Sequence, residues 1–135
     1  MARYLLDSDA IIDYLKSVPA SVSLLQDLDT RGEILCLCSV VVVEVWSGLR
    51  PELREETGRR LLLLEFLATG PEAAAQAGMW RYDYARRGVT LATTDTLIAA
   101  TAHAHGATVV TGNVRDYPMD EVRVLALPRA RGSRS

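Results

Sequence analysis

Strand-like and helix-like segments alternate along this chain of 135 residues. Short apolar runs rich in Leu, Ile and Val are separated by longer segments in which apolar residues recur every three or four positions. Such alternation is typical of domains in which helices connect parallel strands. We therefore expect an α/β domain with a mostly parallel sheet.

Proline and glycine mark most of the expected boundaries, because proline favours the first turn of a helix and glycine its end. Gly32 is placed to end a helix in the left-handed conformation, and Ser8 or Asp9 can cap the first helix. The expected strands cover residues 3–6, 34–38, 107–111 and 122–127. The expected helices cover residues 8–17, 19–31, about 40–49, 51–69, 71–87 and 97–105, and residues 112–119 are expected to form a loop.

The apolar run from Ile34 through Trp46 is too long for one strand of ordinary length. Four consecutive valines favour a strand, whereas Ser39 is a helix-capping residue. We expect a strand followed by a helix, in which Glu44 lies among the valines. A charged residue in an apolar run is rarely buried without a partner, so Glu44 is a candidate ligand.

Four acidic residues that are far apart in the sequence lie where expected strands give way to helices or loops. They are Asp7, Glu44, Asp95 and Asp116. The carboxyl ends of parallel strands meet at one edge of a sheet, which is the usual ligand site of such folds. Two carboxylates about 5 Å apart repel by roughly 3 kcal/mol at an effective dielectric of 20, so a cluster of four needs a cation.

Hard oxygen ligands select Mg²⁺, with Mn²⁺ as a substitute. A bound cation of this kind can orient a phosphodiester, lower the pKa of an attacking water and neutralise charge on the leaving oxygen. The acidic cluster therefore predicts metal-dependent chemistry on phosphodiesters, without a covalent nucleophile.

Four segments carry motifs in a fixed order: Tyr4 to Leu15, Ser39 to Gly48, Thr94 to Gly106, and Val110 to Tyr117. Together they resemble the PIN-domain ribonucleases, and specifically the VapC toxins of bacterial toxin–antitoxin systems. The resemblance implies a three-layer α/β/α sandwich with a central, mostly parallel sheet of four or five strands. It implies one PIN domain over residues 1–131.

The resemblance also implies Mg²⁺-dependent cleavage of RNA, a homodimer, and inhibition by a small cognate VapB-like antitoxin. The residues that it implicates as catalytic and metal-binding are Asp7, Glu44, Asp95 and Asp116, with Asn113 or Thr94 assisting. Gly112 stands where many relatives carry a basic residue, which affects one RNA contact. Arg115 is expected to contact RNA phosphates.

Other interpretations compete with this one. Asp7, Asp9 and Asp95 could be helix caps or turn residues, and we interpret Asp9 and Asp13 as capping or surface residues. Haloacid-dehalogenase-like phosphatases and response-regulator receivers also carry acids at strand ends, but both need a lysine late in the chain, and Lys16 is the only lysine. The remaining alternative is a non-catalytic nucleic-acid or protein interaction module with a PIN-like fold.

Composition limits the remaining possibilities. A formal net charge of −2 argues against a protein that coats nucleic acid non-specifically. No apolar stretch reaches the roughly 18 residues of a membrane helix and no signal peptide is recognised, so we expect a cytoplasmic protein. Cys36 and Cys38 are expected to be buried apolar residues. Residues 132–135, Gly-Ser-Arg-Ser, are interpreted as a tail derived from an expression vector.

Overall fold

The structure, a computed structural model, describes residues 1–128. The strands are β1 (Arg3–Leu6), β2 (Ile34–Leu37), β3 (Glu65–Phe66), β4 (Thr108–Thr111) and β5 (Val124–Ala126). The α-helices are α1 (Ser8–Leu15), α2 (Pro19–Thr30), α3 (Ser39–Ser47), α4 (Arg54–Leu61), α5 (Pro71–Arg86) and α6 (Thr93–Ala104). Short 3-10 helices cover Pro51–Leu53 and Val114–Asp116. The expected tail at residues 132–135 lies outside the described residues, as do residues 129–131.

The five strands form one sheet in the order β3-β2-β1-β4-β5, and every neighbouring pair is parallel. The prediction of an α/β sandwich around a parallel sheet is confirmed. The chain adds β2 and β3 on one side of β1 and then β4 and β5 on the other side. The order therefore reverses between β1 and β4, and such switch points form a crevice at the carboxyl ends of the strands.

The core lies around the middle strands and α6. Leu5 of β1 and Val109 of β4 are fully buried, as are Cys36 and Cys38, which agrees with the prediction for the two cysteines. Ile98 on α6 is also fully buried. Burial of a side chain such as Leu5, Val109 or Ile98 stabilises a fold by about 1.5–3 kcal/mol, so these three residues contribute to the stability of the sheet and of α6.

The apolar run that follows β2 forms the helix α3, as predicted. Val41 and Val45 are buried one turn apart, whereas Val43 is 64% exposed. This helical spacing of buried positions explains why core packing overrides the strand preference of valine. Ser39, however, is the first residue of α3 and makes no capping hydrogen bond, because Cys38 occupies the cap position.

The prediction of one helix over residues 51–69 is wrong. After a 3-10 turn, α4 ends at Leu61, and Glu65–Phe66 forms the edge strand β3 beside β2. The strand is held by non-local contacts: the Leu67 N–H donates to the Leu37 carbonyl at 2.8 Å, and Arg3 Nε donates to Glu65 Oε2 at 2.8 Å. Helical periodicity carries no information about these partners.

Several other boundaries differ from the predictions, and the two that differ most belong to α6 and β5. Helix α6 begins at Thr93 instead of residue 97, which puts Asp95 in its first turn. Strand β5 is three residues long, shorter than the expected 122–127. Gly32 has a φ of 83°, which is the left-handed conformation predicted for the end of α2. Among the described residues, none of the helices has the length and hydropathy to cross a bilayer.

Candidate active site

Asp7 lies at the switch point, between the end of β1 and the start of α1. Its backbone N–H donates to the Val110 carbonyl at 2.9 Å, which joins it to β4, and its side chain is only 6% exposed. Asp7 Oδ1 accepts the Ser8 N–H at 2.7 Å, so Asp7 is the residue that caps α1. The expectation that Ser8 or Asp9 is the cap is therefore wrong.

The other oxygen of the Asp7 carboxylate accepts two hydroxyl groups. Tyr117 Oη donates to Asp7 Oδ2 at 2.8 Å, and Thr111 Oγ1 donates to the same atom at 2.9 Å. Burial, followed by the charge of Asp7, raises the pKa of the Tyr117 phenol well above its usual value, so the phenol stays a neutral donor. Asp7 is thus held in one orientation by three donors.

Asp9 also faces the loop that follows β4. The Gly112 N–H donates to Asp9 Oδ2 at 2.8 Å, and Asp9 is half-buried. This tertiary contact corrects the interpretation of Asp9 as a capping or surface residue. Asp13, one turn further along α1, accepts a hydrogen bond from the buried Ser21 at 2.8 Å and joins α1 to α2, which is a structural role.

The pKa of Asp95 is affected by the charges of the other acids. Burial is the main cause that raises the pKa of Asp95 to about 6, and the negative charges of Asp116, Asp7, Glu44 and Asp9 contribute to this shift in decreasing order. Burial and like charge both disfavour the ionised carboxylate. The structure thus brings Asp95 into a negative field to which all three other acids of the predicted quartet contribute.

Glu44 reaches the same edge of the sheet from the second half of α3, where it is half-buried. The charges of Asp7 and Glu44 both raise the pKa of the Cys38 thiol, although burial is the main cause of that shift. Cys38 directly follows β2. Glu44 therefore lies near the carboxyl end of β2, next to the end of β1.

The remaining predicted residues lie at the solvent side of the cluster. Asp116 ends the 3-10 helix after β4 and is exposed, as are Thr94 and Arg115. The Asn113 N–H donates to Thr111 Oγ1 at 3.0 Å, but the Asn113 side chain makes no hydrogen bond within residues 1–128. Arg115 forms no ion pair with another described residue. The supporting and RNA-contacting roles of these side chains stay predictions.

Within residues 1–128, no three His, Cys, Asp or Glu side chains have the mutual arrangement of a complete metal site. The acids surround Asp95 closely enough to shift its pKa without forming a closed coordination shell. Repulsion between carboxylates opposes a closer approach.

No sequence pattern indicated a role for Thr111 or Tyr117. Thr111 is the last residue of β4 and Tyr117 lies in the loop after it, and hydroxyl-bearing residues are common in such places. The only signal in the sequence was that Tyr117 adjoins Asp116. Their contacts with Asp7 span 104 and 110 residues. Local patterns cannot reveal a partner at that distance.

A parallel sheet with acids grouped at its switch point defines a class of α/β folds with a candidate site for phosphodiester chemistry, and comparisons with known proteins identify the family. The family model described as "PIN domain" matches residues 4–123. The chain is 28% identical over 122 residues to the "tRNA(fMet)-specific endonuclease VapC" of Salmonella typhimurium, with 87% of this chain and 91% of that protein covered. It is 30% identical over 117 residues to "Ribonuclease VapC19" of Mycobacterium tuberculosis, with 85% and 92% covered.

A solved structure gives the same result. The chain matches DNA-bound VapBC from Salmonella typhimurium with a TM-score of 0.81 and 27% identity, covering 95% of this chain and 100% of that one. The chain belongs to the PIN-domain family, within its VapC branch of ribonuclease toxins. The predicted family is confirmed.

Proposed function

We propose that this protein is the toxin of a toxin–antitoxin pair and a Mg²⁺-dependent endoribonuclease in which a metal-activated water hydrolyses RNA. The observation that carries the proposal is the position of Asp95, whose carboxyl group lies in the combined negative field of the other acids. A fold alone does not define an activity, but this site and the ribonuclease names of the relatives support it together.

The donor set fits a hard divalent cation. The side chains that would hold it are the carboxylates Asp7, Glu44, Asp95 and Asp116, and carboxylate oxygens favour Mg²⁺ or Mn²⁺. A cation at this position would relieve the repulsion that, after burial, contributes to raising the pKa of Asp95 to about 6. The acids of residues 1–128 do not form a closed shell, so their side chains would have to move closer together to complete the coordination.

When bound, the cation supplies an acidified water and neutralises charge on the leaving oxygen. The residues of the chain bind the cation and orient its ligands. Asp7 presents a fixed carboxylate because three donors hold it, and this reduces the reorganisation needed for binding. Asp116 lies in the 3-10 helix after β4 and Asp95 lies on α6, so acids from separate elements would face the RNA phosphate.

RNA is the proposed substrate, and Arg115 is the proposed phosphate contact. Arg115 is exposed and adjoins Asp116, so its guanidinium can contact a phosphate next to the acids. A local contact of this kind is compatible with a net charge of −2, since the chain as a whole does not attract nucleic acid strongly.

A VapB-like antitoxin is the proposed partner, and an apolar groove is the proposed contact surface. The groove has a volume of about 640 Å³, and its apolar lining includes Ile11, Leu15, Leu25, Leu35, Leu61 and Leu64. Leu63 also lines the groove and is 86% exposed. A groove with an apolar lining and an exposed leucine is a candidate interaction site. We infer that an apolar segment of the antitoxin covers it.

We further propose that residues 1–131 form one domain, that the protein is cytoplasmic, and that it forms a homodimer. The single sheet and the single core cluster of residues 1–128 support one domain. Light scattering after gel filtration tests the homodimer: a mass near twice 14.8 kDa is expected. A monomeric mass at micromolar concentration would contradict the dimer.

The experiment that tests the activity is cleavage of total RNA by the purified protein with Mg²⁺, with Mn²⁺ and with EDTA. Cleavage with either metal and none with EDTA is expected. Equal cleavage in EDTA would contradict the metal-dependent mechanism. No cleavage under any of the three conditions would favour the non-catalytic interaction module. Toxicity on expression, relieved by co-expression of the adjacent open reading frame, would support the antitoxin partner.

A further inference from the structure

We propose that Tyr117 is a positioning residue, whose buried hydroxyl fixes the Asp7 carboxylate and the loop carrying Asp116 in the arrangement required to bind the cation. The proposal rests on the metal site put forward under Proposed function. Tyr117 itself contacts neither the cation nor the RNA in this proposal. It acts through Asp7.

A continuous chain of hydrogen bonds links the loop to Asp7. The Asn113 N–H donates to Thr111 Oγ1, and the Thr111 hydroxyl then donates to Asp7 Oδ2. Tyr117 Oη donates to the same oxygen from the other end of the loop. Residues 111 and 117 therefore hold both ends of the segment that contains Asp116.

The two hydroxyl groups determine which Asp7 oxygen remains available. A carboxylate oxygen has two lone pairs, and on Oδ2 both are used by Thr111 and Tyr117. On Oδ1 the Ser8 N–H uses one, which leaves the other for a cation. Asp7 is thus prepared to bind a metal through Oδ1 alone.

The position of Tyr117 in the chain extends its effect to Asp116. The Tyr117 N–H donates to the Val114 carbonyl at 3.0 Å and thereby closes the 3-10 turn that ends at Asp116. The Tyr117 side chain is only 4% exposed, so its ring is fixed by packing. A fixed ring and a bonded hydroxyl together restrict where the neighbouring Asp116 carboxylate can lie.

A purely structural role for the Tyr117 hydroxyl makes a different prediction. A buried hydrogen bond contributes to stability wherever it lies, so its loss would lower the melting temperature without changing the affinity for metal. Groups that orient metal ligands, in contrast, typically change metal affinity or activity by 10–100-fold when they are removed. Metal affinity therefore distinguishes the two roles.

The test is calorimetric titration of Mn²⁺ into the full-length wild type and Tyr117→Phe, which removes the hydroxyl and keeps the ring. A loss of affinity of about 10-fold is expected. Tyr84→Phe is the matched control, because its hydroxyl donates at 3.1 Å to the Pro118 carbonyl and to no carboxylate within residues 1–128. The control should bind Mn²⁺ within twofold of the wild type.

Thr111→Val provides a second variant that removes the other hydroxyl donor to Asp7 Oδ2. We expect it to weaken Mn²⁺ binding as well. The double variant with Tyr117→Phe should show a change in binding free energy that differs from the sum of the single changes, because both hydroxyl groups act on one oxygen. Additive effects would contradict the shared anchor.

The outcomes separate this proposal from the one on which it rests. If the wild type binds Mn²⁺, Asp7→Asn does not, and Tyr117→Phe binds as the wild type does, then the positioning role fails and the metal site stands. If the wild type binds no Mn²⁺, both proposals fail. A Tyr117→Phe variant that only melts at a lower temperature would show a structural role and overturn the inference.

Discussion

The Tyr117 hydroxyl lies 2.8 Å from Asp7 Oδ2, although 110 residues separate the two in the sequence. This buried bond connects the end of β1 to the loop after β4, on the two sides of the switch point in the sheet. The acid that ends the first strand is therefore held by the segment that carries the last acid. Fold and candidate site are coupled at this contact.

Glu44→Gln is expected to keep the fold and to lower RNA cleavage by at least about 100-fold. The amide preserves the shape of this half-buried side chain on α3 but removes a ligand charge. The measurement is the cleavage rate with Mg²⁺, with the circular dichroism spectrum as a check on folding. A variant that unfolds would assign Glu44 a structural role instead.

Asp95→Asn is expected to stabilise the metal-free protein at pH 7 by about 1–2 kcal/mol. Each unit of pKa shift is worth about 1.4 kcal/mol, and partial exposure to water reduces the total for a carboxyl group shifted to about 6. The pKa of Asp95 is higher in the folded protein than in the unfolded chain. The contribution of Asp95 to stability is therefore fully present below pH 3.8 and is lost as the pH rises through about 6.

Urea denaturation in EDTA at pH 4 and pH 7 measures this difference. The stability difference between Asp95→Asn and the wild type should be small at pH 4 and should favour the variant at pH 7. With saturating Mg²⁺ at pH 7 the order should reverse, because the cation stabilises the wild type by mass action. A difference that does not change between the two pH values would contradict the negative field around Asp95.

Leu63→Asp is expected to weaken binding of the antitoxin without changing RNA cleavage by the free toxin. Leu63 is 86% exposed on the apolar groove, so a charge there costs little in the free protein and much when a partner covers it. Co-purification with a tagged antitoxin measures the effect. Val89→Asp, another exposed apolar position outside the groove lining, is the control and should bind as the wild type does.

Arg115→Gln is expected to raise the KM for RNA while leaving kcat nearly unchanged, because a phosphate contact positions the substrate. The salt dependence of RNA binding should become shallower by roughly 0.7 in the logarithmic slope. Arg54→Gln is a suitable control, since Arg54 is exposed at the start of α4. An unchanged KM would remove Arg115 from the RNA interface.

Sequence patterns predicted the parts of the fold that depend on local chemistry. Prolines and glycines marked the ends of most helices, and the position of Asp7 after β1 followed from the rule for parallel strands. The helix α3 was predicted against the propensity of its valines, because a continuous strand of that length is rare. Each of these features is determined by residues that are neighbours in the sequence.

The parts that were missed depend on distant partners. The edge strand Glu65–Phe66 exists because β2 and Arg3 lie beside it, and its sequence continues an apolar helical pattern. Asp9 was interpreted as a surface residue because its partner, Gly112, is 103 residues away. The hydroxyl donors to Asp7 could not be predicted from local patterns, because they too are more than 100 residues away from it in the sequence.

Mn²⁺ titration of four single variants is the most direct test of whether four distant carboxylates share one cation. The titration is done at pH 7.5, which lies above the pKa of Asp95. The variants are Asp7→Asn, Glu44→Gln, Asp95→Asn and Asp116→Asn. Asn at position 7 also keeps a good cap for α1. The wild type should bind Mn²⁺, and each of the four variants should bind it at least about 10-fold more weakly. Wild-type affinity in all four would contradict a shared site.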